Sequence, residues 1–201
     1  MFLSEIKVFN KAIDKTFKQA LNDFVEKHGL KQFQGSNAVV IADEKHVWRS
    51  WFEDAGFEAF LKLIDGNQSI HLPKFLSRVR EEPVSFSKLP KGKVIKFIKI
   101  ENLDELQPSL LSDAIDTIGS MLHANEKAAS VDDVLKLDLS KFIPRDSDAT
   151  QEEVKEEIEK FSAFFNLILD LNSKQRFNDL NSSNVMMRGT IPVLTDPIST
   201  N

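Results

Sequence analysis

Asp179, Asn184 and Asp196 are the residues whose types and spacing point to chemistry. The first two lie in Phe177-Asn178-Asp179-Leu180-Asn181-Ser182-Ser183-Asn184-Val185-Met186, and the third lies twelve residues past Asn184 in Thr195-Asp196-Pro197. Two carboxylates and an amide in this order suit phosphoryl transfer. One Asp accepts or orients the attacking hydroxyl. The Asn and the second Asp offer oxygen donors to a magnesium ion on nucleotide phosphates. Asp, Asn and Ser are also ordinary turn formers. The combination with Asp196, and not Asp179 or Asn184 alone, carries the expectation.

Composition removes several other chemistries. The chain has 201 residues, no cysteine and four histidines, so thiol nucleophiles, disulfides and cysteine-bound zinc are excluded. His28, His46, His71 and His123 lie too far apart in sequence to form a ligand pair at helical spacing. The 26 basic and 31 acidic residues give a net charge of −5 with no basic block, which argues against nucleic acid as a partner. Apolar residues make up 41% of the chain, enough to bury a core, and no apolar run approaches the roughly 20 residues of a membrane span. The start, Met1-Phe2-Leu3-Ser4-Glu5, lacks the pattern of a secretory signal, so a cytoplasmic location without membrane attachment is expected.

The elements that must position these residues fall into three parts. Residues 4–28 read as an amphipathic helix, with Ile6, Phe9, Ile13, Phe17, Leu21 and Phe24 at intervals of three and four. A strand-rich part follows over 30–103. Three strands are predicted within 30–51, a short helix over 54–64 with Phe57, Phe60, Leu61 and Ile64 on one face, a fourth strand over 75–80 and a fifth over 94–100. The part from 104 to 201 reads as helical. It has a helix over 110–122, an ambiguous stretch over 131–142, and a long helix opened by the capping box Thr150-Gln151-Glu152-Glu153. Short strands and loops close it over 176–198. The fold class expected is α+β, with domains 1–29, 30–103 and 104–201.

With these residues in place, the order Asp-x-x-x-x-Asn, hairpin, Asp resembles the catalytic loop and metal-binding motif of the protein kinase-like superfamily. The variant Met-Met-Arg-Gly-Thr-Ile-Pro-Val before Asp196-Pro197 is most similar to the small Ser/Thr kinases encoded by bacteriophages. It also resembles the aminoglycoside phosphotransferases. The resemblance covers residues 30–198. It implies a minimal two-lobed fold, an antiparallel five-stranded N-lobe on a reduced helical C-lobe, with ATP between them. It makes Asp179 the catalytic Asp, and Asn184 and Asp196 the magnesium ligands. Gly35 and Ser36 take the place of the glycine-rich loop, Arg49 that of the phosphate-binding Lys, and Glu58 that of its ion-pairing Glu. Ile98-Lys99-Ile100-Glu101-Asn102-Leu103 resembles the fifth strand and hinge, which would place Glu101 and Leu103 at the adenine.

The same residues have plainer readings. Gly35 also suits a hairpin turn, Arg49 between Trp48 and Trp51 also suits coverage of apolar surface, and Glu53 is a second candidate for the role given to Glu58. The chain departs from the family's pattern in three ways. Arg49 replaces Lys and is bulkier. Phe177 and Asn178 replace the His and Arg before the catalytic Asp. Five residues follow Asp196, so no activation segment is expected. Two functions follow: an ATP- and Mg-dependent Ser/Thr kinase acting on a protein, or a pseudokinase-like protein that binds a host or regulatory protein without transfer. With no tyrosine in the chain, autophosphorylation would fall on Ser or Thr. The sequence is silent on oligomeric state.

Overall fold

The computed structural model describes residues 31–34, 38–42, 46–51, 54–83 and 94–198. The expected helix over 4–28 lies outside these residues. The chain divides into two compact units and passes three times between them. The first comprises residues up to Asp54 together with Lys74–Asn102, and the second comprises Ala55–Pro73 with Leu103 onward. The stretch 55–73, expected within the strand-rich part, therefore groups with the helical unit. Secondary structure is mixed α and β throughout.

The first unit is an antiparallel sheet of five strands in the order β1-β2-β3-β5-β4. They are β1 Lys31–Gln34, β2 Ala38–Ala42, β3 His46–Trp51, β4 Arg80–Pro83 and β5 Val94–Glu101. Strand β5 inserts between β3 and β4. In the β3–β5 register, Trp48 faces Lys99 and Arg49 faces Ile98. The Lys99 ammonium lies 5.5 Å from the Trp48 ring, a cross-strand cation–π pair. Side chains alternate across a strand, so Arg49 shares a face with the buried Trp51.

The fourth strand begins later than the periodicity predicts. Segment 75–79 runs beside β5 but forms only a single bridge, Phe75 with Ile100. Leu76 N–H donates to the Lys99 carbonyl at 2.8 Å, whereas Lys99 N–H donates to Ser77 Oγ at 2.9 Å. A side-chain hydroxyl has taken the place of a ladder carbonyl, which interrupts regular pairing until Arg80.

In the second unit, helices α1 Ala55–Ile64, α2 Leu110–His123, α3 Val131–Leu135, α4 Gln151–Lys160 and α5 Ser162–Lys174 accompany a small antiparallel sheet. Its strands are β6 Asp104–Glu105, β7 Val185–Arg188 and β8 Ile191–Leu194, in that spatial order. Helix α2 packs on α4 through Leu111, Ala114, Ile115, Ile118 and Met121 on one side and Val154 and Ile158 on the other, all buried. These are the positions that helical periodicity selects. Phe164, Phe165, Ile168 and Leu171 of α5 are buried as well. Asn166 interrupts that apolar run, and its Oδ1 accepts from the Val131 N–H at the start of α3 at 2.9 Å.

The single long helix expected after Thr150 is two. The capping box forms: Thr150 Oγ1 accepts from Glu153 N–H, and the Glu153 carboxylate accepts from Thr150 N–H at 2.8 Å. The break comes at Phe161, with φ −103° and ψ 31°. Its carbonyl accepts from Phe164 N–H at 2.9 Å, so the ladder tightens by one residue there. The ambiguous 131–142 stretch resolves as helix only over α3. Among the described residues no helix is long and apolar enough to cross a membrane.

Candidate active site

In the second unit the β7–β8 hairpin returns the chain so that the segment holding Asp196 is tied to the 179–184 loop, which carries Asp179 and Asn184. Two backbone hydrogen bonds close the arrangement: Asp179 N–H donates to the Pro197 carbonyl at 3.2 Å, and Thr195 N–H donates to the Asn184 carbonyl at 2.9 Å. Thr195 Oγ1 reinforces the second bond, donating to the same carbonyl at 2.9 Å. Asp196 therefore sits between two residues that are each tied to the 179–184 loop. The β7–β8 hairpin supplies the return. Its one-turn reversal uses Gly189 at φ +60°, a conformation that suits glycine.

The loop is held from within by amides. Asn184 Nδ2 donates to the Asp179 carbonyl at 2.7 Å. Asn181 Nδ2 donates at 3.1 Å to both the Asp179 carbonyl and Oδ1. Asn181 also caps the 3₁₀ turn Ser182–Asn184, its Oδ1 accepting from Ser183 N–H at 3.0 Å. Asp179, Asn184 and Asp196 are all half-buried, and Oδ1 of Asp196 is fully buried. Since Nδ2 of Asn184 is committed to the loop, Oδ1 is the atom that remains as a metal ligand.

This donor set fits a hard cation. Asn184 Oδ1 and the Asp196 carboxylate are oxygen donors of the kind magnesium prefers. Among the described residues, no group of three or more His, Asp or Glu forms a metal cage.

Packing beneath the loop accounts for Phe177. Phe177 is almost wholly buried, and its N–H donates to Asn172 Oδ1 at 2.8 Å. An apolar ring thus anchors the loop. The hairpin is fastened to residues 70–72. Arg188 donates to the carbonyls of Ile70 and Leu72, Leu194 N–H donates to the His71 carbonyl, and His71 Nδ1 lies 2.9 Å from the Pro192 carbonyl. The His71 ring also packs on Phe164, with centroids 5.5 Å apart.

The other expected site residues lie elsewhere. Gly35, Ser36 and Glu53 fall outside the described residues. Arg49 belongs to the first unit, where its Nη2 donates to Asp54 Oδ2 at 2.8 Å. Glu58 is on α1 in the second unit, half-buried. Glu101 spends its N–H on the Lys74 carbonyl at 3.1 Å and its Oε1 on Lys74 N–H at 2.7 Å. Leu103 opens the second unit as a buried core residue.

Reading the sequence missed Asp54, Asn181 and Asp116. Asn181 carried a local signal, an Asx residue opening a polar turn. Asp116 carried none, because its partner Ser182 is 66 residues away. A scan against protein-family models and a search of curated proteins both return no match for this chain.

Proposed function

We propose that this protein is an ATP- and Mg-dependent phosphotransferase, a Ser/Thr protein kinase similar to the small kinases that bacteriophages encode. The observation that supports the reading is that backbone hydrogen bonds tie the residues on either side of Asp196 to the loop that holds Asp179 and Asn184. A five-stranded antiparallel unit followed by a helical one is compatible with the two-lobed kinase-like architecture that belongs to this proposal. Magnesium, when bound, neutralises phosphate charge. Asn184 Oδ1 and Asp196 hold that ion. Asp179 accepts the hydrogen bond of the attacking hydroxyl and orients it, while Asn181 fixes the carboxylate through Oδ1. Positioning and charge neutralisation supply most of the acceleration. A protein substrate in a host cytoplasm goes with the same reading.

Incubation with labelled ATP and Mg²⁺ tests it. Wild type transfers phosphate to itself or to a host protein on Ser or Thr, and Asp179→Ala loses at least about 100-fold of that rate. A thermal shift on adding ATP and Mg²⁺ disappears in Asp196→Asn. Two observations favour a second reading, a pseudokinase-like protein that binds nucleotide and a partner protein without transfer: the engagement of Arg49 by Asp54 and the buried Phe177. A preserved thermal shift with no transfer to any acceptor supports that reading and overturns the kinase.

A further inference from the structure

Helix α2 approaches the candidate loop more closely than side chains normally permit. A Cβ built on Gly119 would stand 2.0 Å from the Leu180 carbonyl oxygen. The loop backbone therefore rests directly on the helix at the one position without a side chain. One turn earlier on the same face, Asp116 grips the next residue but one. Its Oδ1 accepts from Ser182 N–H at 2.6 Å and its Oδ2 from Ser182 Oγ at 2.9 Å. With that bond every N–H of the 3₁₀ turn has a named acceptor: Ser182 on Asp116, Ser183 on Asn181 Oδ1, and Asn184 on the Asn181 carbonyl. The turn ends on Asn184, whose side chain is the proposed metal ligand.

We infer that Asp116 is a positioning residue, which rests on the phosphotransferase reading: it clamps Ser182 so that the turn presents Asn184 Oδ1 to a magnesium–phosphate group. A carboxylate accepting two hydrogen bonds from one residue fixes both distance and orientation. Partners that orient a ligand without touching the metal commonly change affinity or activity by about 10- to 100-fold when removed. Asp116 touches neither ion nor substrate, so its loss should fall on metal use before nucleotide affinity.

The test compares wild type with Asp116→Ala, Asp116→Asn and Ser182→Ala in phosphate transfer over a Mg²⁺ titration. Asp116→Ala should raise the Mg²⁺ concentration for half-maximal transfer about tenfold or more, with a smaller change in the KM for ATP. Asp116→Asn keeps an acceptor for Ser182 N–H and should recover much of the difference, and Ser182→Ala should shift it only partly. Val134→Ala, a core truncation in α3 away from the loop, controls for lost stability and should leave the Mg²⁺ dependence in place. Hydrogen exchange on the wild type and Asp116→Ala should show faster exchange of the Ser182 amide in the variant. Wild-type transfer with an unchanged Mg²⁺ requirement in Asp116→Ala overturns the positioning role alone. Absence of any wild-type transfer overturns the phosphotransferase reading and this role with it, while the exchange rate still reports whether the clamp exists.

Discussion

Arg49 and Asp54 set the electrostatics of the strand-rich unit. Their side chains retain 13% and 8% of their exposure, so the pair is largely withdrawn from water. Removing one member of such a pair costs more than the pair itself contributes, because the remaining charge keeps its desolvation penalty. Asp54→Ala should lower the unfolding free energy by about 3 kcal/mol in a urea titration. Asp54→Asn keeps an oxygen acceptor for the guanidinium and should cost clearly less. Equal losses for the two variants would show that the negative charge is immaterial. The kinase-like resemblance made Arg49 a candidate for phosphate contact, and it supplied Glu58 or Glu53 as its partner. Asp54, five residues on, is a carboxylate that the fold brings to its guanidinium.

Among elements, α2 and α4 show how local rules and packing compete. Gly119 lies inside α2, where alanine would gain up to about 1 kcal/mol of helix propensity. The Leu180 carbonyl lies too near for a Cβ, and the obstacle is backbone, which cannot swing aside. Displacing the loop or the helix costs about 1–3 kcal/mol and opposes the gain. Gly119→Ala should therefore come out net destabilising by thermal denaturation, and a rise in Tm would show that the loop gives way freely. At the start of α4, hydrogen bonds from the Thr150 backbone and hydroxyl hold the Glu153 carboxyl below its ordinary value. Ser130 and the Ala129 N–H do the same to Asp133 at the start of α3. A carboxyl with a lowered folded pKa stabilises the fold above its unfolded pKa, about 4.3 for Glu, and that stabilisation fades as pH falls through the folded value. Glu153→Gln should lower Tm at neutral pH and approach the wild type as pH falls below about 4. A constant difference across that range would mean that the cap does not depend on charge.

For the whole molecule, charge and chain path are the governing features. The net charge of −5 predicts that the protein passes through a cation exchanger at neutral pH without retention. Retention would reveal a basic surface strong enough to outweigh the acidic excess. The chain enters the helical unit at Ala55, leaves it after Pro73 and returns at Leu103. Residues 70–72 are thereby available to fasten the β7–β8 hairpin through Arg188 and His71, more than a hundred residues away. A single cut of the sequence near Leu103 could not anticipate this, since the contacts of 55–73 are long-range.

What the sequence determined by itself is whatever depends on neighbours. Periodicity selected the buried faces of α1, α2 and α4, and Thr150 with Glu153 marked a helix start that the structure realises atom for atom. The five short antiparallel strands were legible too, except where Ser77 replaces a ladder carbonyl and delays β4. The types and order of Asp179, Asn184 and Asp196 were also visible, because they are read directly from the residues. Only the tertiary structure decided how these three are joined, that Arg49 is engaged by Asp54, that the helix after Thr150 breaks at Phe161, and that Asp116 and Gly119 support the loop. Each of those depends on groups distant in sequence meeting at a few ångströms, or on how a run of aromatic side chains packs. Hydrogen bonds and close contacts of that kind have no periodicity and no local signature, so nothing short of the folded chain specifies them.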